Sequence, residues 1–227
     1  MRIVLVDHRD SFTWNLAHLF GQQVGALPEV VESGALDVAA LSAAPPDLLL
    51  LGPGPGHPAK AADAGRSLAA ITALRGKAPL FGVCFGLQLL VVEAGGRVVR
   101  TTPRHGRSWP IDHADHFLFA GLESPVAMMR YHSLVAERAT LPATLRVAAT
   151  TPEGEVMAIE RVDGDACAVQ FHPESVGSPR GERLAKNVLE WAIRWRRSHS
   201  GAARIEARNA ERRDAGDAAR DAVHDGQ

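Results

Sequence analysis

The sequence predicts an α/β fold: a mostly parallel open sheet with helices on both faces, plus additional antiparallel strands. Two observations predict it. From residue 2 to about residue 102, short unbroken apolar runs alternate with segments whose apolar residues recur at helical spacing, the pattern of strands buried on both faces. From about residue 107 the texture changes to strand-like runs separated by turns, before one closing amphipathic segment. A chain of 227 residues with 46% hydrophobic content is long enough to bury a full core as one large domain.

Taken in order, "RIVLVD" (2–7) reads as a strand ended by Asp7. "DSFTWNLAHLFGQQ" reads as a helix capped by Asp10 or Ser11, with Phe12, Leu16, Leu19 and Phe20 at helical spacing. The unit recurs through "PEVVES" and "LDVAALSAA", "DLLLLGPG" and "ADAGRSLAAITALRG", "PLFGVC" and "FGLQLLVVEAGG", and then the strand "RVVRTT". "LRVAATT", "VMAIER" and "CAVQFH" read as strands added antiparallel to the sheet, and "GERLAKNVLEWAIRWRR" as the closing helix. There is no repeat at solenoid periods. The domain is expected to span 1–197. In the remaining segment, 198–227, Ile205 and Val223 are the only sizeable apolar residues among many Arg, Asp and Ala, so it cannot offset its ordering entropy and is expected to be a disordered tail.

Composition excludes several classes of function. The formal net charge of −1 comes from mixed charges, so no basic field exists to hold nucleic acid or an anionic membrane. No apolar run approaches the roughly 18 residues that span a bilayer. "MRIVLVDHRD" meets charge too early for a secretory segment, and a cytoplasmic location is expected. The two cysteines, Cys84 and Cys167, have no paired metal-ligand spacing, which argues against zinc and against a disulfide framework. Cys167 lies on an alternating strand and reads as packing.

Cys84 is different. In "GVCFG" small residues flank it where a strand gives way to a helix, the arrangement that exposes a nucleophile on a sharp turn. A helix N-terminus favours thiolate over thiol, and the N–H of Phe85 points where an oxyanion would form. The competing reading is a buried cysteine packing as a small hydrophobe. In "QFHPES", His172 and Glu174 lie two apart in what reads as an extended segment, projecting to one side, so the carboxylate can orient the imidazole as a triad's third member does. Residues 84 and 172 meet only if the fold gathers two strand ends at one sheet edge, as parallel sheets do. "GPGPGHP" after the third strand reads as a rigid loop allowing close backbone approach to a ligand, or else as an ordinary breaker turn.

With "GPGPG", "GVCFGLQ", "RYHSL" and "QFHPES" in that order, residues 1 to about 195 resemble the class I (triad) glutamine amidotransferases. The likeness is strongest to their anthranilate and aminodeoxychorismate synthase component II branch, whose opening motif "DHRDSFTWNL" is similar to, with His8 and Arg9 as departures. Phe85 and Leu87 depart from the branch's usual residues too. The resemblance implies the flavodoxin-like class I glutaminase fold, with no cofactor and no metal. It also implies that Cys84 forms a γ-glutamyl thioester, that His172 is general base and acid, and that Glu174 orients it. The backbone at Gly54, Pro55, Gly56 and Phe85 would lie along substrate and oxyanion, with Gln88, Ser133 and Leu134 holding L-glutamine. A chorismate-binding synthase subunit is implied as partner, docking near the "DSFTWN", "RHGRS" and "RYHSL" loops, although Arg104 and Arg107 individually read as solvated. The alternatives are a free-standing γ-glutamyl hydrolase or cysteine peptidase of similar fold, and a non-catalytic assembly module whose thiol is structural.

Overall fold

The computed structural model describes residues 1–103 and 106–199. Five strands lie side by side in parallel: β2 (Glu29–Glu32), β1 (Ile3–Asp7), β3 (Leu48–Leu51), β4 (Leu80–Val83) and β11 (Ala166–Val169). Past β11 the sheet continues antiparallel through β10 (Val156–Arg161), β9 (Leu145–Thr150), β6 (Arg107–His113) and β7 (Val126–Arg130). The predicted fold class is the one observed.

The inner parallel strands β1, β3, β4 and β11 are apolar almost throughout because both their faces are covered. Ile3, Leu5, Leu48 and Leu50 pack on one face with Leu16 and Phe20 of α1 (Thr13–Val24) and Leu184, Val188 and Trp191 of α6 (181–199). Their alternates Val4, Val6, Leu49 and Leu51 pack on the other face. There they meet Leu41 of α2 (Val38–Ala43), Ile71 and Leu74 of α4 (Ser67–Leu74), and Leu89 and Leu90 of α5 (Phe85–Glu93). Each such side chain removed from water contributes roughly 1.5–3 kcal/mol, so the period-2 alternation holds strands and helices in register together. Among the described residues no helix is long and apolar enough to cross a membrane.

Four expectations need correction. The segment after β1 is not capped by Asp10 or Ser11. Phe12 occupies the cap position without a side-chain bond, because Asp10 Oδ1 instead accepts from the Phe12 N–H (2.8 Å) while Asp7 Oδ1 takes the Thr13 hydroxyl (2.7 Å). The helix expected in 62–76 is two, α3 (Ala61–Ala64) and α4, broken at Gly65, whose φ of +56° ends the first turn. "RVVRTT" leaves the parallel sheet: β5 (Val98–Arg100) pairs antiparallel with β8 (Leu134–Ala136) in a separate two-stranded sheet. Residues 198 and 199, assigned to the tail, still belong to α6, where the Ser198 hydroxyl donates to the Trp195 carbonyl (2.8 Å); 200–227 lie outside the described residues.

The carboxyl ends of β1, β3, β4 and β11 gather their loops at one edge of the sheet. His8 ties two of them. Its Nδ1 lies 3.2 Å from the carbonyl of Gly52, which can only accept, so Nδ1 carries the proton and Nε2 accepts from the Ser67 hydroxyl at 2.8 Å. Burial pulls the His8 pKa from 6.5 down to about 4, so as pH falls the unfolded chain binds the proton first. Stability present above pH 6.5 is therefore lost progressively down to pH 4. Urea midpoints of the whole chain are expected to fall from pH 6.5 to 5, with up to about 1.4 kcal/mol per pH unit from this one group. His8→Asn is expected to flatten that slope, and an unchanged slope removes His8 as its source.

Candidate active site

Cys84 sits at the elbow between β4 and α5 with φ +53° and ψ −97°, a conformation that costs a non-glycine residue of order 1–3 kcal/mol. Its surroundings enforce it. The Cys84 N–H donates to the Val169 carbonyl (2.8 Å), extending the β4–β11 ladder by one residue, while its carbonyl accepts from the N–H groups of Leu87 (3.1 Å) and Gln88 (3.3 Å). The flanking glycines let α5 lie almost on β4: a Cβ on Gly82 would stand 2.6 Å from the Gly86 carbonyl carbon, and one on Gly86 would overlap the Leu51 carbonyl oxygen. Phe85 heads α5, where the first N–H groups have no acceptor inside the helix.

One strand over, β11 ends at Val169 and the chain passes Gln170 and Phe171 to His172. The His172 N–H bonds the Met129 carbonyl of β7 (2.9 Å) and its own carbonyl accepts from the Ser178 hydroxyl (2.6 Å), so its backbone is pinned on both sides. Pro173 and Glu174 form a turn rather than the expected extended segment, and the turn brings the carboxylate back onto the ring. The ring Nδ1 lies 2.6 Å from Glu174 Oε1, and both side chains are almost wholly buried. A carboxylate accepts, so the proton is on Nδ1 and the buried Nε2, which has no hydrogen-bond partner, is left for the sulfur. Burial lowers the His172 pKa, but the Cys84 thiolate and then the Glu174 carboxylate outweigh it and raise the net value well above 6.5. The imidazole therefore retains its proton against the pull of burial.

Two aromatic rings that the sequence did not single out enclose this imidazole. Tyr131 meets it edge-on (5.1 Å between centroids, 77°), and Phe12 lies against both Tyr131 (5.1 Å) and His172 (5.6 Å). The Tyr131 hydroxyl shares a 3.0 Å hydrogen bond with Ser175, the residue after Glu174. Behind Tyr131, the wholly buried Arg130 pairs with Glu155 and donates Nε to His132 Nε2 (3.1 Å). Burial and then Arg130 push the His132 pKa down to about 3, so that ring accepts and stays neutral.

The other predicted residues divide. Gln88, 2% exposed, donates Nε2 to the Leu134 carbonyl (3.2 Å) and to Gln170 Oε1 (3.4 Å), and Gln170 Nε2 lies 3.5 Å from Cys84 Sγ. Gly54 lies against Phe85 and His8; a Cβ there would stand 2.5 Å from that of His8. Pro55 instead lines a small cavity of about 110 Å³ with His8, Arg9 and Asp63, and Gly56 packs against Asp63, whose carboxylate accepts from the His57 N–H (2.8 Å). Ser133 is exposed, its carbonyl taken by the Thr101 N–H (2.9 Å). Arg107 is exposed within β6, as expected of a solvated residue, and Arg104 lies outside the described residues. A cleft of about 480 Å³ is lined by Asn15, His18, Glu174 and Val176, and Cys84 does not line it. Gln170 could have been found: two before His172, it falls on the same side of an extended run. The aromatic contacts had no local signal. Cys167, buried on β11 with its pKa raised by burial, is an inert thiol.

Comparison with known proteins shows the family. The family model described as "Glutamine amidotransferase class-I" matches residues 4–191. The aminodeoxychorismate/anthranilate synthase component 2 of Bacillus subtilis is 39% identical over 189 residues, covering 83% of this chain and 95% of the relative. The anthranilate synthase component 2 of Pseudomonas aeruginosa is 40% identical (82% and 94% covered), and the aminodeoxychorismate synthase component 2 of Escherichia coli 41% (82% and 98%). The crystal structure described as "a putative gmp synthase subunit a protein" from Thermoplasma acidophilum superposes with a TM-score of 0.73 over 88% of this chain and 98% of its own, at 21% identity, a likeness of fold.

The proton held by His172 makes a spectroscopic prediction. In the intact chain the His172 ring is expected to give the NMR signature of the protonated imidazole at pH 7.5. Glu174→Gln removes an anion that holds the proton, so its titration is expected to move to lower pH. A His172 that is neutral at pH 7 in the unsubstituted chain contradicts that retention of the proton.

Proposed function

The chain belongs to the class-I glutamine amidotransferases, and from that premise we propose that it is the glutaminase subunit of a cytoplasmic anthranilate or aminodeoxychorismate synthase. One observation carries the reading: a strained cysteine at a helix N-terminus facing a buried histidine that a carboxylate holds by Nδ1.

In this reading Cys84 Sγ attacks the side-chain carbonyl carbon of L-glutamine. The carbonyl π pair moves to oxygen, and the oxyanion takes the Phe85 N–H with the backbone near Gly54 as further donor. His172 gives its proton to the departing nitrogen, the carbon–nitrogen bond breaks, and ammonia leaves a γ-glutamyl thioester. Water then attacks the thioester while His172 takes its proton. Collapse expels the thiolate and releases glutamate. Glu174 keeps the ring oriented in both directions, and Gln88, Ser133 and Leu134 hold the glutamine. No cofactor or metal is needed. Free ammonia is captured as ammonium in neutral water, so it must pass directly into a docked synthase subunit that binds chorismate. The relatives' names divide between anthranilate and aminodeoxychorismate, and that choice resides with the partner.

The test uses the complex with its synthase subunit. Cys84→Ser is expected to lower glutamine-dependent synthesis at least a thousandfold while ammonia-dependent synthesis persists, and His172→Ala is expected to behave the same way. Full glutamine-dependent turnover in Cys84→Ser overturns the reading. Identifying the aromatic product formed with the co-purified partner decides between the two synthases.

A further inference from the structure

Outside the three residues of the proposed mechanism, one buried polar group touches the nucleophile. Gln170 is wholly buried, at the end of the strand that pairs with β4, and its side-chain nitrogen is 3.5 Å from Cys84 Sγ. An amide can present either its oxygen or its NH₂ to a neighbour, and the two cases are chemically opposite. The neighbouring groups decide. The Leu134 carbonyl can only accept, so Gln88 must turn its NH₂ toward it. That same NH₂ has a second hydrogen, and it reaches Gln170 at 3.4 Å, so the atom Gln170 shows to Gln88 must be its oxygen. The NH₂ of Gln170 is then left facing the sulfur, and turning it around would set NH₂ against NH₂ in a dry interior, leaving buried donors unpaired.

We propose that Gln170 is a further catalytic residue, a hydrogen-bond donor that stabilises the Cys84 thiolate, with its polarity imposed through Gln88 by the backbone carbonyl of Leu134. The inference rests on Cys84 being the nucleophile. A donor to sulfur favours the anion over the neutral thiol and holds it in place. It also links the loop expected to hold glutamine to the sulfur that attacks it. No bond is made or broken by Gln170 itself.

Gln170→Glu keeps an oxygen for Gln88 and removes the N–H, and Gln170→Met removes both. In the full chain, alkylation by iodoacetamide, located at Cys84 by peptide mass, is read against pH. Both variants are expected to react about tenfold more slowly at pH 7, with the profile moved toward alkaline pH, and glutaminase kcat is expected to fall while KM for glutamine changes less than threefold. In the unsubstituted chain, whose folding is not at issue, the Gln170 side-chain NH₂ resonances are expected to shift as the thiol titrates. Folded variants whose alkylation profiles superimpose on the original, or NH₂ resonances that ignore the thiol, overturn the proposal. If instead Cys84→Ser retains glutaminase activity, the underlying reading has failed, whatever Gln170 does.

Discussion

The site depends on one pairing, that of β4 with β11. Val83 stands beside Val169, and the next backbone bond, from the Cys84 N–H to the Val169 carbonyl, carries the ladder to the foot of the elbow. Residues 84 and 170 are thereby neighbours across a strand gap, and His172 follows one strand period later. A slip by one residue would turn Gln170 and His172 to the other face and leave the cysteine alone. Such a slip would also move Cys167 and Val169 off the face where they pack with Phe81 and Val83. The core enforces the register, and the register assembles the chemistry.

Burial acts on the charged groups in two directions. It would hold the imidazole of His172 neutral, yet thiolate and carboxylate flank it and the net effect is a proton retained. His8 and His132 are buried without a facing anion strong enough to compensate, and their protons are lost instead. Three buried histidines thus divide into one charged group and two neutral ones. Phe12 and Tyr131 maintain that division by covering the His172 ring with apolar surface, which limits the water that would screen the pair.

Much of this was visible locally. The alternating apolar runs of "RIVLVD" and "DLLLLGPG" carry the sheet, and "GVCFG" carries the elbow, because close helix-on-strand packing tolerates only glycine at 82 and 86. Other features were not. "RVVRTT" has the composition of a sheet strand, but its partner is β8, and partner choice is a non-local competition that composition does not encode. "HPES" reads as extended because alternation is the default for a segment after a strand. The turn that brings Glu174 onto His172 is held by Ser178, six residues beyond His172, and by Met129 on another strand, and neither contact is legible in "HPES" itself.

By itself the sequence determined the layered α/β architecture, the elbow cysteine and the identity of the histidine and carboxylate, since these follow from period, glycine placement and the side chains' own chemistry. Only the tertiary structure decided that 84, 170 and 172 share one sheet edge, that Gln88 and Gln170 point in one direction, and that two aromatic rings close over the imidazole. Those outcomes arise from register, from the one-way polarity of a backbone carbonyl, and from loops meeting across the sheet. Such constraints come into existence only when residues far apart in the chain are packed together without water.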